Sequence, residues 1–429
     1  MVKMKHITRL ISAFILFIVT SCSSTTDNLP PVSATATKSI RPTSQDIRTA
    51  TPLATNTVTP IPDPFVSKCA DLGGMELELP PPVETANHWL LLRDDQAPYP
   101  PHLINLANGI KTPLSDSNVI KLYASPDHQR LAYNTYSDFS PTSGKIVITD
   151  AKGRSIKGIP WREEWTAFWG WLDNNHLMVT KKAPEGKPVP SLIILSLSDN
   201  TVQELSSDYP DFDNINYVSW QHNRVIYDPS LMLAVYPSYG GKSGTITLFD
   251  LSGQKILANF PANVSRTKQP VWSPDGLYVT IAETTAQRNP DASGNEHYDQ
   301  ELILLDKSGN LSRLTHFTEK YTDVQIGNAS WAPNGRYIAF WFSIGDSHQE
   351  QLAVFDFDTN LVTNYCVTGF NLSMGNSPKP VWSPDSRLIL VNNKENEGTA
   401  EKVIWIDIEN EQGAIMDTGL SVEGWLTSE

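Results

Sequence analysis

The chain has 429 residues, 40% of them hydrophobic and 19% charged, with a formal charge of −14. That length and apolar content suit a body with large buried faces. The acidic balance, with no basic block to offset it, excludes a nucleic-acid role.

The N-terminus reads as an export signal. Lys3, Lys5 and Arg9 form a basic start, and Leu10 to Val19 is a mainly apolar run too short to span a bilayer. Val19-Thr20-Ser21-Cys22 follows. This stretch resembles the lipobox of bacterial lipoproteins, and the resemblance implies cleavage after residue 21 and a diacylglyceryl group on Cys22. An ordinary secretory signal with an incidental cysteine is the alternative. A multi-chain lipid anchor, at about 0.8 kcal/mol per buried methylene, would hold the protein at a membrane on its extracytoplasmic side.

Residues 22–64 form a Ser/Thr/Pro tract, including Ser33-Ala34-Thr35-Ala36-Thr37 and Thr57-Val58-Thr59-Pro60. It has no hydrophobic period, so the sequence predicts a disordered tether. About 40 such residues reach about 35 Å.

From residue 65 onward the pattern is strands and turns. Seven apolar runs end in a short polar residue and a tight turn: His102-Leu103-Ile104-Asn105, Val147-Ile148-Thr149-Asp150, Ile193-Ile194-Leu195-Ser196, Thr247-Leu248-Phe249-Asp250, Ile303-Leu304-Leu305-Asp306, Ala353-Val354-Phe355-Asp356 and Ile404-Trp405-Ile406-Asp407. A repeat of about 45 to 55 residues built only of strands indicates a β-propeller. A second signature leads the units: Trp272-Ser273-Pro274-Asp275-Gly276, Trp331-Ala332-Pro333-Asn334-Gly335, Trp382-Ser383-Pro384-Asp385-Ser386, and a shorter Ser125-Pro126-Asp127. Proline presets the turn, Asp or Asn caps it, and the tryptophan fits a wedge between sheets. These units resemble the TolB-type, WD-like propeller repeats of bacterial envelope proteins, over residues 78–427. The resemblance implies a binding role in the envelope. The chain departs from that family in lacking room for an α/β domain ahead of the propeller.

Two units are degenerate, with Trp171-Leu172-Asp173-Asn174-Asn175 and Tyr227-Asp228-Pro229-Ser230 in place of the proline turn. Asn87-His88-Trp89-Leu90-Leu91-Leu92-Arg93 looks like a second strand with no first strand before it. Gly424-Trp425-Leu426 looks like a first strand with nothing after it. Pairing them leaves neither edge open. The expected fold is therefore an all-β, seven-bladed β-propeller closed by the C-terminal strand joining the N-terminal blade. It becomes six-bladed if one degenerate unit is not a blade.

Candidate sites are few. The repeat aspartates read as turn caps. Trp161 and Trp165 precede a first strand and read either as ligand-stacking residues or as inter-blade packing. Asp291, Glu296, His297, Asp299 and Glu301 crowd a long hairpin, which reads as a solvated acidic loop with no calcium-loop spacing. Cys69 and Cys366 read as a disulfide or as two buried thiols. Neither cysteine nor Cys22 belongs to a Cys-x-x-Cys pair. No nucleophile, metal or phosphate-loop motif is present, so no cofactor and no metal is expected. The leading expectation is a monomeric, non-enzymatic module that docks a protein or peptide on one propeller face. The alternative is a glycan-binding protein, or a propeller hydrolase or lyase acting on extracellular carbohydrate.

Overall fold

Continuous apolar runs such as Ile193-Ile194-Leu195 need a sheet buried on both faces, because neighbouring side chains point to opposite sides. The structure supplies that environment. The computed structural model describes residues 63–72, 77–81, 88–94, 100–114, 116, 118–137, 140–182, 191–205, 226–228, 230, 233–238, 245–250, 255–261, 263–264, 270–288, 297–345, 349–371, 378–393 and 401–428. Cys22, the 22–64 tether, Asp291 and Glu296 lie outside these residues.

Seven sheets follow one another along the chain. We number them as blades I to VII, with strands ordered as they lie in each sheet. Blade I is Leu420–Thr427, His88–Asp94, His102–Asn105 and Lys111–Pro113. Blade II is Val119–Ala124, Arg130–Ser137, Ser140–Asp150 and Ser155–Pro160. Blade III is Trp165–Trp171, His176–Lys181, Ser191–Ser196 and Val202–Leu205. Blade IV is Ile226–Tyr227, Leu233–Ser238, Thr245–Asp250 and Lys255–Pro261. In blade V, Asn263–Val264 and Val271–Trp272 both pair with Tyr278–Arg288, followed by His297–Asp306 and Leu311–Arg313. Blade VI is Gln325–Trp331, Tyr337–Ser343, Gln349–Asp356 and Leu361–Asn371. Blade VII is Val381–Trp382, Leu388–Asn393, Lys402–Asp407 and Gln412–Thr418.

First strands of successive blades touch one another from V through VI, VII and I to II and III, so they form the hub and the fourth strands form the rim. The core is the set of seams between blades. Leu90 and Leu92 of blade I pack with Leu390 and Trp405 of blade VII, and Leu91 and Leu103 pack with Leu131 and Val147 of blade II. Further clusters join II to III, IV to V, V to VI, and VI to VII. Ile193 and Leu195 enter the II–III seam, while Leu192 and Ile194 form a cluster on the other face of blade III.

Ring closure is in register. Leu90 of the second strand opposes Trp425, and Leu91 opposes Gly424. The protein is a seven-bladed β-propeller latched by its last strand. The second degenerate unit is a genuine blade. There Asp228 accepts from the Leu233 amide at 2.6 Å and from the Ser230 hydroxyl, closing the turn without the usual Ser-Pro-Asp order.

The regular turns show why the motif works. Ser273 Oγ donates to Asp275 at 2.5 Å and accepts the Tyr278 amide at 3.0 Å, while Asp275 accepts the Leu277 amide at 3.0 Å. Ser383 and Asp385 repeat the pattern, with Ser386 at φ 66° where the motif has glycine. The repeat tryptophans are inter-blade rivets. The indole nitrogens of Trp171, Trp331 and Trp382 donate to the main-chain carbonyls of Tyr123, Val271 and Ser330, each on the preceding blade's first strand. The aspartates at the strand ends cap their turns: Asp306 accepts the Ser308 and Asn310 amides at 2.8 Å.

A strap precedes blade I. Val66–Ser67 adds a parallel fifth strand to blade VI, the sulfurs of Cys69 and Cys366 are bonded with their Cα atoms 4.8 Å apart, and the Asp71 carbonyl accepts the Gly413 amide of blade VII. Trp405 then donates to the Glu78 carbonyl at 2.9 Å.

Candidate functional site

In a four-stranded blade, the first-to-second and third-to-fourth turns share one face. The longer loops and the blade-to-blade connections share the other. The Ser-Pro-Asp and aspartate turns therefore occupy one face, and the entries to the first strands open on the opposite one. Side chains in the early part of the first strands line the hub from that loop face.

Three first strands are irregular at matching places. In blade III, Gly170 opposes Met178 and Phe168 opposes Val179, so Trp169 drops out of the ladder. In blade I, Leu91 opposes Gly424 and Leu92 opposes Val422, so Glu423 drops out. In blade VI, Ile326 opposes Phe342 and Ala329 opposes Phe340, so Gly327 and Asn328 fall outside the paired register. Trp169 and Glu423 stand two residues before Trp171 and Trp425, and Asn328 stands three before Trp331. A bulge re-aims its extra residue, and bulges recur beside functional sites. They recur at one level of three first strands and leave Trp169, Asn328 and Glu423 out of the ladder.

Glycine makes two of these bulges possible. A Cβ on Gly327 would lie 2.5 Å from Trp341 Cβ and 2.8 Å from Glu350 Oε1. A Cβ on Gly170, at φ 92°, would lie 2.7 Å from the Tyr123 ring. Blade II carries a bulge at Ile120, exposed at 39%, beside Lys121. Arg93 donates to the Val119 and Ile120 carbonyls there, both at 2.9 Å.

The Lys121 ammonium stands 4.6 Å from the Trp169 ring centroid, joining blades II and III across the hub. Trp169 Nε1 donates to Thr180 Oγ1 at 3.3 Å, which fixes the ring. Lys379 stands three residues before Trp382, at the entry of the first strand of blade VII. It is exposed to water.

The sequence-derived candidates fall elsewhere. Trp161 and Trp165 are 6% and 5% exposed and join the II–III seam. Their rings meet edge to face at 5.6 Å, and Arg162 lies over Trp165 at 5.4 Å. They pack rather than present a stacking platform. Asp299 and Glu301 do not belong to a solvated loop. Glu301 is fully buried and accepts from Thr315 Oγ1 at 2.5 Å, from the Phe317 and Thr318 amides, and from Thr318 Oγ1. Asp299, 7% exposed, accepts the Asp323 amide at 2.8 Å. The hairpin strands extend to Arg288 and His297, so these carboxylates sit on a strand and anchor the connection into blade VI. Cys69 and Cys366 are on the rim, away from the hub. Sequence reasoning missed Lys121, Asn328, Lys379 and Glu423, and gave Trp169 no role of its own. A partial signal was present: Trp169 and Glu423 stand two residues, and Asn328 and Lys379 three, before a repeat tryptophan, whereas the unit of Lys121 has Ala124 at that place.

No protein-family model matches the chain, and no curated protein sequence matches it. Among solved structures, TolB from Acinetobacter baumannii is 15% identical, with a TM-score of 0.41, over 78% of this chain and 81% of that one. The β-propeller domain of the Trilobed protease from Pyrococcus furiosus, described as having an open velcro topology, is 12% identical, with a TM-score of 0.43, over 68% and 83%. An oligogalacturonate lyase from Vibrio parahaemolyticus is 9% identical, with a TM-score of 0.48, over 78% and 87%. The seven sheets and their latch define the fold, and these similarities are similarities of fold.

Proposed function

We propose that the chain is a non-enzymatic docking module, held at the extracytoplasmic side of a membrane by lipid on Cys22, that binds a polypeptide segment at the loop-face mouth of the hub. One observation carries the reading. The tryptophan faces that would serve a sugar are already covered: Trp161 and Trp165 by each other and Arg162, Trp169 by Lys121, and Trp171 by Arg130 at 5.3 Å. Each such cation–π contact is worth about 0.5–2 kcal/mol, which a stacking sugar would have to displace. What the first strands offer instead is Ile120, Lys121, Asn328 and Glu423, at or beside their bulges. Apolar, amide and charged groups of both signs suit an extended peptide better than a carbohydrate ring. A lipid anchor and a long tether would raise the local concentration of any membrane-held partner.

The test is site-specific photocrosslinking in cells, with the crosslinker at position 423 on the hub or at Ile156, 59% exposed on the rim of blade II. A discrete polypeptide adduct from 423 and none from 156 is expected. The Cys22→Ser chain should lose palmitate labelling and most of the adduct. Carbohydrate adducts alone, or equal adducts from both positions, would defeat the docking reading.

A further inference from the structure

We propose that the bond between Cys69 and Cys366 is a redox-labile fastener. A dithiol reductant opens it in the folded ring, the strap lifts off, and the outer edges of blades VI and VII are bared. Such a switch stands apart from whatever docks at the hub.

The strap lies on the surface. No residue from 63 to 72 is buried, Cys69 is exposed, and Cys366 is half-buried. Disulfides open to solvent are the ones that exchange, whereas those enclosed in a core resist reduction. Apart from the sulfurs, the ties of the strap are weak. Its pairing with blade VI is two residues long, Val66 opposite Thr363 and Ser67 opposite Asn364. Lys68 and Glu411 form an ion pair at 2.7 Å with side chains 47% and 44% exposed, and the pair of Lys320 with Asp63 is also at the surface. Solvent screening leaves such pairs little hold. Phe65, Ala70 and Leu72 add partly buried contacts to seams that the blades build between themselves. The ring therefore keeps its core when the strap leaves.

Cys366 lies where its strand bulges, because Gln351 opposes Thr368 and Ala353 opposes Asn364. Its φ is 59°, a left-handed conformation that is costly for a residue with a Cβ and that recurs at switch regions. The Asn364 side chain holds it there, accepting the Cys366 amide at 2.8 Å and donating to Gln351 Oε1 at 2.7 Å. Neither bond involves the strap. Cys366 thus keeps its place when the disulfide opens, and Cys69 can return to it on oxidation.

The chemistry is thiol–disulfide exchange. A thiolate of the reductant attacks the sulfur of the exposed Cys69, and the old S–S bond breaks with its electron pair leaving on Cys366. The second thiol of the reductant then displaces Cys69 and closes a disulfide within the reductant. Two electrons pass to the protein, and the two protons of the dithiol finish on Cys69 and Cys366. Release takes the Lys68 and Ala70 amides from the Asn364 and Tyr365 carbonyls. It also takes the Asp71 amide from the Glu411 carbonyl and the Asp71 carbonyl from the Gly413 amide. Two adjacent strand edges are then open to pairing with another chain.

The test treats the full-length protein in detergent with graded dithiothreitol, followed by iodoacetamide and peptide mass spectrometry. Near-ultraviolet circular dichroism of the tryptophans reports the ring. Both cysteines should become alkylated while the tryptophan signal keeps its oxidised value. Trypsin cleavage after Lys68 should then rise at least tenfold, with cleavage after the exposed Lys152 unchanged. Oxidised glutathione should return the Lys68 rate to its starting value. The double variant Cys69→Ser, Cys366→Ser should be cut after Lys68 at the fast rate with or without reductant. A bond that yields only as the tryptophan signal collapses is a plain structural staple, and the proposal falls. It falls equally if both cysteines are alkylated with no change at Lys68, if the double variant is cut as slowly as the oxidised protein, or if oxidation fails to restore protection.

Discussion

Two histidines grip the tryptophan that latches the ring. Trp425 breaks the pattern of its counterparts, because its indole N–H donates to His88 Nδ1 at 2.9 Å rather than to a carbonyl of the preceding blade. His128 Nδ1 donates to the Trp425 carbonyl at 2.9 Å from the first turn of blade II. Only a neutral His88 has the lone pair this bond needs. Burial pushes the pKa values of both imidazoles down. Asp385 pulls His88 up and His128 pushes it down, while for His128 the Trp425 carbonyl and Asp127 pull upward. The sign follows by linkage. The unfolded histidine takes its proton near 6.5, and the folded one resists until lower pH. The unfolded state therefore binds more protons in between, and stability present above 6.5 is lost as pH falls through the folded value. Each unit of displacement corresponds to about 1.4 kcal/mol. The expected result is a thermal midpoint that is flat from pH 8 to 7 and drops toward pH 5. In His88→Asn, whose side-chain oxygen accepts without titrating, the drop should be shallower. Equal slopes in the two proteins would remove His88 from the account.

At the scale of an element, the strap distinguishes this propeller from a bare ring. Phe65 packs on Phe317, Tyr321 and Phe342, and Asp63 pairs with Lys320 and Tyr321. The segment then crosses from blade VI to blade VII and ends near blade I, where Leu79 lies 3.5 Å from a Cβ built on Gly109. It covers rim edges that would otherwise be open to pairing. Its anchor is the bond between Cys69 and Cys366. Cys69→Ser should cost about 2–4 kcal/mol of stability, the usual contribution of such a crosslink. The loss should be local first, with new proteolytic cuts between residues 63 and 81 while the blades stay protected. A strap as resistant as wild type would show that pairing with Leu361–Asn371 is sufficient without the sulfurs. The element scale also explains Asp299 and Glu301. A hairpin loop and the strand before it look alike in sequence, and only the partner strand decides where pairing stops.

At the scale of the molecule, the ring is one cooperative object because each seam needs both of its blades. Removing residues 420–429 would leave His88–Asp94 with an open inner edge and strip Trp425 and Leu426, both fully buried, from the seams on either side of blade I. The truncated chain should aggregate and lose a single sharp unfolding transition, as read by gel filtration and calorimetry. A monodisperse product with an unchanged midpoint would mean that seam burial suffices without the latch.

The sequence by itself determined the repeat, the turn chemistry and the latch. Ser273 with Asp275, or Ser383 with Asp385, are contacts within a few residues, and the orphan strands near residues 88 and 425 announced each other by what each lacked. Even Asp228 was legible as a substitute turn, though not that it would close the turn in reversed order. The hub was not legible. Trp169 reads like its neighbours Trp165 and Trp171 until pairing shows that it alone falls out of the ladder. Lys121 and Trp169 belong to different blades, and they meet only once those two blades stand side by side. Local bonds are written in adjacent residues. Which side chains meet at an axis depends on the register of several strands at once, and closure of the whole ring decides that.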